Sequence, residues 1–249
     1  MEFFEEVACL PDGRHAGNIM STVKPFIISV TGAHSRVGKT TLCSILLKEL
    51  KGFGAIKYTK TPEYRQTEVK KIRRWEDKNF LTSQHLNFLT SQSPNSLLID
   101  DINILNQKGK DTAIFLESGA ERVFWIQSPY NKLECLLKIA ISRMRDLKGV
   151  IIEGNSPVDF ITPSLIIFII GTEGEIKSSA IKVSERADVV IINSKKRVSK
   201  RIRTEKKLPF LSTISQKRKK IFWINLIEKR GEIDEFLYFV KGRINKDSH

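Results

Sequence analysis

Phe26-Ile27-Ile28-Ser29-Val30-Thr31-Gly32-Ala33-His34-Ser35-Arg36-Val37-Gly38-Lys39-Thr40-Thr41-Leu42 is the stretch that decides the fold. Phe26 to Val30 is a short, apolar, β-rich run, and Thr31 to Val37 reads as a loop. From Lys39 onward, Leu42, Ile45, Leu46 and Leu50 recur every three or four residues, the period of an amphipathic helix. Between strand and helix the pattern [Ala/Gly]-x₄-Gly-Lys-[Ser/Thr] runs from Ala33 to Thr40. That context is what a phosphate-binding loop requires. Backbone N–H groups curl around the anion, and the helix start adds unpaired donors and a favourable dipole. Gly38 lets the backbone approach where a Cβ would intrude. Lys39 supplies an ammonium to the β- and γ-phosphates, and the Thr40 hydroxyl is an expected Mg²⁺ ligand. Thr41 reaches the α-phosphate. Ala33, His34, Ser35, Arg36, Val37, Gly38, Lys39, Thr40 and Thr41 are therefore the expected nucleotide-binding residues, with Arg36 a candidate for the γ-phosphate or for a solvated loop charge.

Working outward, the remaining chain alternates strands and helices. Ala55 to Tyr58 reads as a second strand, and Leu97-Leu98-Ile99 leads into Asp100-Asp101. Lys110 to Ser118 fits a short helix, Glu121 to Ile126 a strand and Lys132 to Met144 a helix. Gly149 to Ile152 is a buried strand ending at Glu153-Gly154, and Leu165 to Ile170 and Val189 to Ile192 are two more apolar runs. Lys195 to Lys207 fits a basic helix. Strands at Phe210 and Ile221 and a last helix over Ile227 to Val240 close the chain. This alternation predicts an α/β fold, a P-loop NTPase three-layer sandwich with a mostly parallel central sheet.

A phosphate loop also needs a carboxylate to hold Mg²⁺ or its waters. Four lie at or near expected strand ends: Asp100, Asp101, Asp111 and Glu153. Glu153 follows a run apolar enough to be buried on both faces, so it is expected at the carboxyl edge, facing the phosphates. With Lys39 it forms the expected catalytic pair.

At 249 residues and 41% hydrophobic content, the chain has enough apolar material for one large domain. Residues 1–24 read as an N-terminal extension with a turn at Pro11-Asp12-Gly13, and 25–249 as the domain. Within the domain, about 62–96 is an insertion in which Phe80 to Gln84 and Phe88 to Gln92 repeat the same five residues, too briefly for a solenoid. No apolar run is long enough to span a membrane. Glu2, Glu5 and Glu6 argue against a secretory signal. Cys9, Cys43 and Cys135 have neither disulfide nor metal spacing, which points to reduced thiols in the cytoplasm. The formal net charge is +14, and the 195–220 segment, with twelve Lys/Arg against Glu205, supplies +11 of it. Such a segment favours anionic partners.

Several pieces in order resemble the molybdopterin-guanine dinucleotide biosynthesis protein B family. These are the loop from Gly32 to Leu42, Gly54-Ala55-Ile56-Lys57-Tyr58-Thr59, Lys110-Asp111-Thr112 with Glu117-Ser118-Gly119-Ala120, and Gly149 to Gly154. The resemblance spans about 26 to 193. It departs from the family at Tyr58-Thr59-Lys60, where His is usual, at the insertion and at the basic segment. It implies a GTP-binding accessory factor in molybdenum-cofactor maturation, a homodimer working with a cofactor-maturation enzyme. Ala187 to Asn193 resembles the strand before the guanine-reading Asn-Lys-x-Asp of GTPases. The sequence continues Ser194-Lys195-Lys196, so the Asp is missing and Asn193 is the one candidate base contact. The expected ligand is thus Mg²⁺ with GTP or ATP, GTP favoured. Two alternatives of other classes stand beside it. The loop also resembles that of dethiobiotin synthetase, an ATP-dependent small-molecule enzyme. A nucleic-acid-associated NTPase using the basic segment would bind with a steep salt dependence, but no nucleic-acid motif is present.

Overall fold

The computed structural model describes residues 24–62, 96–172, 176–194 and 219–247. Most of the expected N-terminal extension, insertion and basic segment lies outside them, as do the predicted helix at 195–207, the strand at Phe210, and Cys9.

Runs such as Leu165-Ile-Ile-Phe-Ile-Ile170 are apolar at every position because both of their faces are covered. Among the described residues they form the middle of a nine-stranded sheet with the order β3-β4-β2-β5-β1-β6-β7-β8-β9. The strands are β1 (Phe26–Gly32), β2 (Phe53–Lys60), β3 (Leu97–Ile99), β4 (Val123–Ser128) and β5 (Gly149–Glu153), then β6 (Leu165–Gly171), β7 (Val189–Asn193), β8 (Lys220–Asn225) and β9 (Arg230–Gly231). Every pairing from β4 to β8 is parallel. The two edge strands are antiparallel to their neighbours. The fold is thus α/β with a mostly parallel sheet, as the alternation predicts.

Alternation along each strand divides the core into two layers. On one face Ile28, Val30, Ile151, Ile167 and Ile191 pack with Leu42 and Leu46 of α1 (Lys39–Glu49) and with Phe236 and Val240 of the last helix (Ile233–Asp247). Phe115 of the helix Asp111–Glu117 joins the same layer. On the other face Ile27, Ile56, Val150 and Ile152 meet Leu133 and Leu137 of the helix Leu133–Ser142. Beside them, Phe168, Ile170, Val190 and Ile192 meet Ala180 and Val183 of the helix Ser178–Arg186. Leu42 and Leu46 are fully buried, and each contributes about 1.5–3 kcal/mol by leaving water. Among the described residues no helix is long and apolar enough to cross a membrane.

The helix Ile102–Leu105 and β9 are additions to the sequence reading, and two helices of the core differ from it. The last helix spans Ile233–Asp247 rather than starting at Ile227. Asn225 Oδ1 accepts from the N–H groups of Ile227 and Glu228, making a turn, and Lys229 (φ 52°) and Gly231 (φ 93°) take left-handed conformations that no helix continues through. The helix Ser178–Arg186 escaped the reading, although Ile176, Ala180, Val183 and Ala187 carry its period.

β1 sits between β5 and β6. The chain leaves β1 for β2 on one side, and from β5 it crosses to β6 on the other. A switch of this kind opens a crevice at the carboxyl ends of the strands, where the loop after β1 lies.

Candidate functional site

The loop after β1 is held from below by side chains of its neighbours. Asn155, just past β5, uses its whole amide on Gly32. Its Oδ1 accepts from Gly32 N at 2.9 Å and its Nδ2 donates to Gly32 O at 2.9 Å. Ala33 N donates to Ile169 O at 2.9 Å, and Lys177 N to Ala33 O at 3.2 Å. Within the loop Arg36 takes a left-handed conformation (φ 61°), which is uncommon for a residue with a long side chain.

Gly38 stands at the N-cap of α1 with φ 108°. A Cβ there would lie 2.8 Å from Leu226 Cδ1 and 3.0 Å from Asn193 Nδ2, so both conformation and space demand glycine. Among the described residues no side chain caps this helix. The first-turn N–H donors therefore keep the capacity that a capping Ser or Asp would have used, as a phosphate site requires. Lys39 bends back, and its Nζ donates to His34 O at 3.0 Å. Burial pulls the Lys39 pKa below the usual lysine value, offset in part by Glu153, while Lys57 pushes in the same direction as burial. His34 Nδ1 lies 2.6 Å from Ser35 O, and His34 Nε2 is buried with no hydrogen-bond partner among the described residues.

Across from the helix start, the Glu153 side chain is 3% exposed at the end of β5. Its Oε2 accepts from Thr40 Oγ1 at 3.0 Å, and its Oε1 accepts from Lys57 Nζ at 2.5 Å. Lys57 lies directly opposite Glu153 in the β2–β5 register. The same ammonium pairs with Asp111 Oδ2 at 2.6 Å, at the start of the helix Asp111–Glu117. Burial works to lower the Lys57 pKa, but Glu153 and Asp111 together outweigh it and the net shift is upward. The Cys43 thiol, one turn along α1, is fully buried, and that burial raises its pKa well above the ordinary value.

The structure thus brings Lys39, Thr40, Asp111 and Glu153 together. It does not bring Asp100 and Asp101 to them. β3 runs antiparallel to β4, so the chain leaving Ile99 heads toward the start of β4, away from the carboxyl edge. Asp100 pairs with Arg143 at 3.2 Å, and Asp101 caps the helix Ile102–Leu105 by accepting from Asn103 N at 2.8 Å. Both side chains have structural employment at the opposite edge of the sheet.

Asn193, the candidate base contact, ends β7. Its Nδ2 donates to Val37 O at 3.0 Å and its Oδ1 accepts from Leu226 N at 3.2 Å. The amide thus ties the loop to the turn after β8. Lys57 is the site residue that sequence reasoning passed over. Its signal was a lone lysine between Ile56 and Tyr58, where a buried strand otherwise admits apolar side chains.

The oxygen donors that converge here suit a hard cation such as Mg²⁺: the Thr40 hydroxyl and the Glu153 and Asp111 carboxylates. Among the described residues no group of three His, Cys, Asp or Glu is arranged to hold a metal ion. Two carboxylates fall short of a protein-only cage and fit a metal that shares its shell with phosphate oxygens.

No protein-family model matches this chain, and no curated protein matches it. Among solved structures, the chain is similar to a plasmid partition protein from Borrelia burgdorferi, at 16% identity over 88% of this chain and 100% of that one, TM-score 0.46. An iodide-soaked crystal of a plasmid partition protein from that organism gives 14% identity over 88% and 100%, TM-score 0.44. A third structure, from Borrelia burgdorferi B31 and bound to AMPPNP, gives 13% identity over 90% and 96%, TM-score 0.41. At these values the functional reading rests on the site itself.

Proposed function

We propose that this chain binds the phosphates of a nucleoside triphosphate together with Mg²⁺ and hydrolyses the nucleotide slowly. The observation that carries the reading is the joint placement of an uncapped helix start, Lys39 and Thr40 opposite a buried carboxylate, Glu153. The backbone N–H groups from Gly38 onward would hold the phosphates, and Lys39 would exchange the His34 carbonyl for phosphate oxygens. Thr40, Glu153 and Asp111 would hold the metal, which when bound neutralises charge developing on the phosphates. Slow turnover belongs to the reading because Glu153 is tied to Thr40 and Lys57 rather than facing open water.

GTP and ATP both fit this site. The family resemblance favours GTP, while the Asn193 amide is engaged by Val37 O and Leu226 N. A role in molybdenum-cofactor maturation, as a homodimer beside a maturation enzyme, is supported by the ordered resemblance of the segments around Lys39, Lys57, Asp111 and Glu153.

Replacing Lys39 tests the phosphate site directly. Lys39→Ala should lower Mg²⁺-ATP and Mg²⁺-GTP affinity by at least about tenfold, since a charge-assisted contact to phosphate is lost. Its circular dichroism should match that of the wild type. Unchanged affinity in a folded variant would overturn the reading.

A further inference from the structure

One ammonium sits where the oxygen donors of the site converge. Lys57 Nζ lies 2.5 Å from Glu153 Oε1 and 2.6 Å from Asp111 Oδ2, while the other Glu153 oxygen accepts from Thr40 at 3.0 Å. The lysine is fixed from its own strand, because Lys57 and Glu153 are direct neighbours in the parallel β2–β5 pairing. The Lys57 side chain is 16% exposed and that of Glu153 3%, so the pair exchanges charge for charge largely out of water.

We propose that Lys57 is a tethered counter-cation, whose ammonium holds the position Mg²⁺ takes with the nucleotide and so makes the site refuse the free ion. This rests on the nucleotide reading above and specifies in what form the metal arrives.

The charges state the reason. Glu153 and Asp111 carry two negative charges, and Lys57 and Lys39 carry two positive ones. A free divalent ion would leave an excess of two positive charges in a poorly solvated place, beside two ammonium groups. Like charges repel strongly at the effective dielectric of such sites, and the double charge of the ion doubles its repulsion from each ammonium. A Mg²⁺-triphosphate complex is anionic, so it meets the same ammonium groups and the helix start favourably. It also supplies the phosphate oxygens that two carboxylates and a hydroxyl lack. The four-carbon stem of Lys57 allows its ammonium to leave Glu153 while staying near Asp111.

Mn²⁺ serves as the probe, with binding read by electron paramagnetic resonance on the full chain in the absence of nucleotide. Wild-type protein should leave Mn²⁺ free up to about 1 mM. Lys57→Met, which keeps the stem and removes the charge, should bind Mn²⁺ at least about tenfold more tightly. Lys57→Arg should exclude the ion as the wild type does. If Lys57→Met does not fold, Lys57→Gln carries the same expectation, because it keeps a donor toward the carboxylates without the charge. Equal Mn²⁺ binding by the wild type and the neutral variant would overturn the proposal. So would Mn²⁺ binding by the wild type that is lost in Glu153→Gln. Failure of the nucleotide reading shows separately, as wild-type protein that takes up no Mn²⁺ when AMPPNP or a GTP analogue is added.

Discussion

Asn193→Ala separates a brace for the phosphate loop from a reader of the base. The substitution removes two hydrogen bonds, one to Val37 O at 3.0 Å and one from Leu226 N at 3.2 Å. Val37 and Leu226 are 2% and 1% exposed, so water replaces the amide poorly at either partner. A buried polar group left unpaired costs about 1–3 kcal/mol. Partial relaxation of the loop reduces the sum, and a loss of about 2–4 kcal/mol is expected. For a chain of this size each kcal/mol moves the melting midpoint by roughly 2–4 °C, so a fall of roughly 4–16 °C should appear in thermal unfolding. Val37 immediately precedes Gly38, so releasing its carbonyl also frees the turn that presents the helix start. Affinity for Mg²⁺-ATP and Mg²⁺-GTP should fall together, by about tenfold, as the loop must then be ordered on binding. Thermal unfolding and titration of both nucleotides on one preparation give the two numbers. A loss confined to GTP, with the midpoint unmoved, would refute the brace and return Asn193 to the base.

Two further substitutions address the metal side of the site. Thr40→Ala removes a proposed metal ligand and the 3.0 Å bond to Glu153, so affinity should fall much more with Mg²⁺ than in EDTA; equal losses would assign Thr40 to packing alone. Glu153→Gln keeps the size of the side chain and removes its charge, and steady-state phosphate release should drop by about tenfold or more, ~1.4 kcal/mol in the barrier, with nucleotide affinity changing less. Hydrolysis at the wild-type rate would make Glu153 a structural strand end.

Local pattern was enough for the elements that meet at the loop. The uniformly apolar runs at Phe26, Gly149, Leu165 and Val189 announce buried parallel strands, because covering both faces leaves no position for a polar side chain. The three- and four-residue spacing from Leu42 to Leu50 announces the helix after the loop. Gly38-Lys39-Thr40 announces its chemistry, since those residue types act through backbone shape and local charge that the sequence carries directly. Glu153 was legible for a related reason: an acid ending a buried strand of a parallel sheet has only the carboxyl edge to face.

Tertiary structure decided the rest. Asp100, Asp101 and Asp111 are equivalent in sequence, each an acid near the end of an element. Only the antiparallel course of β3 sends the first two to the far edge, while the helix start at Asp111 meets Lys57. Lys57 reads as an interruption in an apolar strand until the β2–β5 register sets it against Glu153, ninety-six positions away. Asn193 reads in sequence as a base contact alone, and only the fold shows that the turn at Leu226, thirty-three positions later, takes one end of its amide and the loop the other. In each case the sequence by itself determined which chemical groups are available. Which partner each one meets depends on strand order and register, long-range pairings set by burial of the whole sheet and therefore absent from any local pattern.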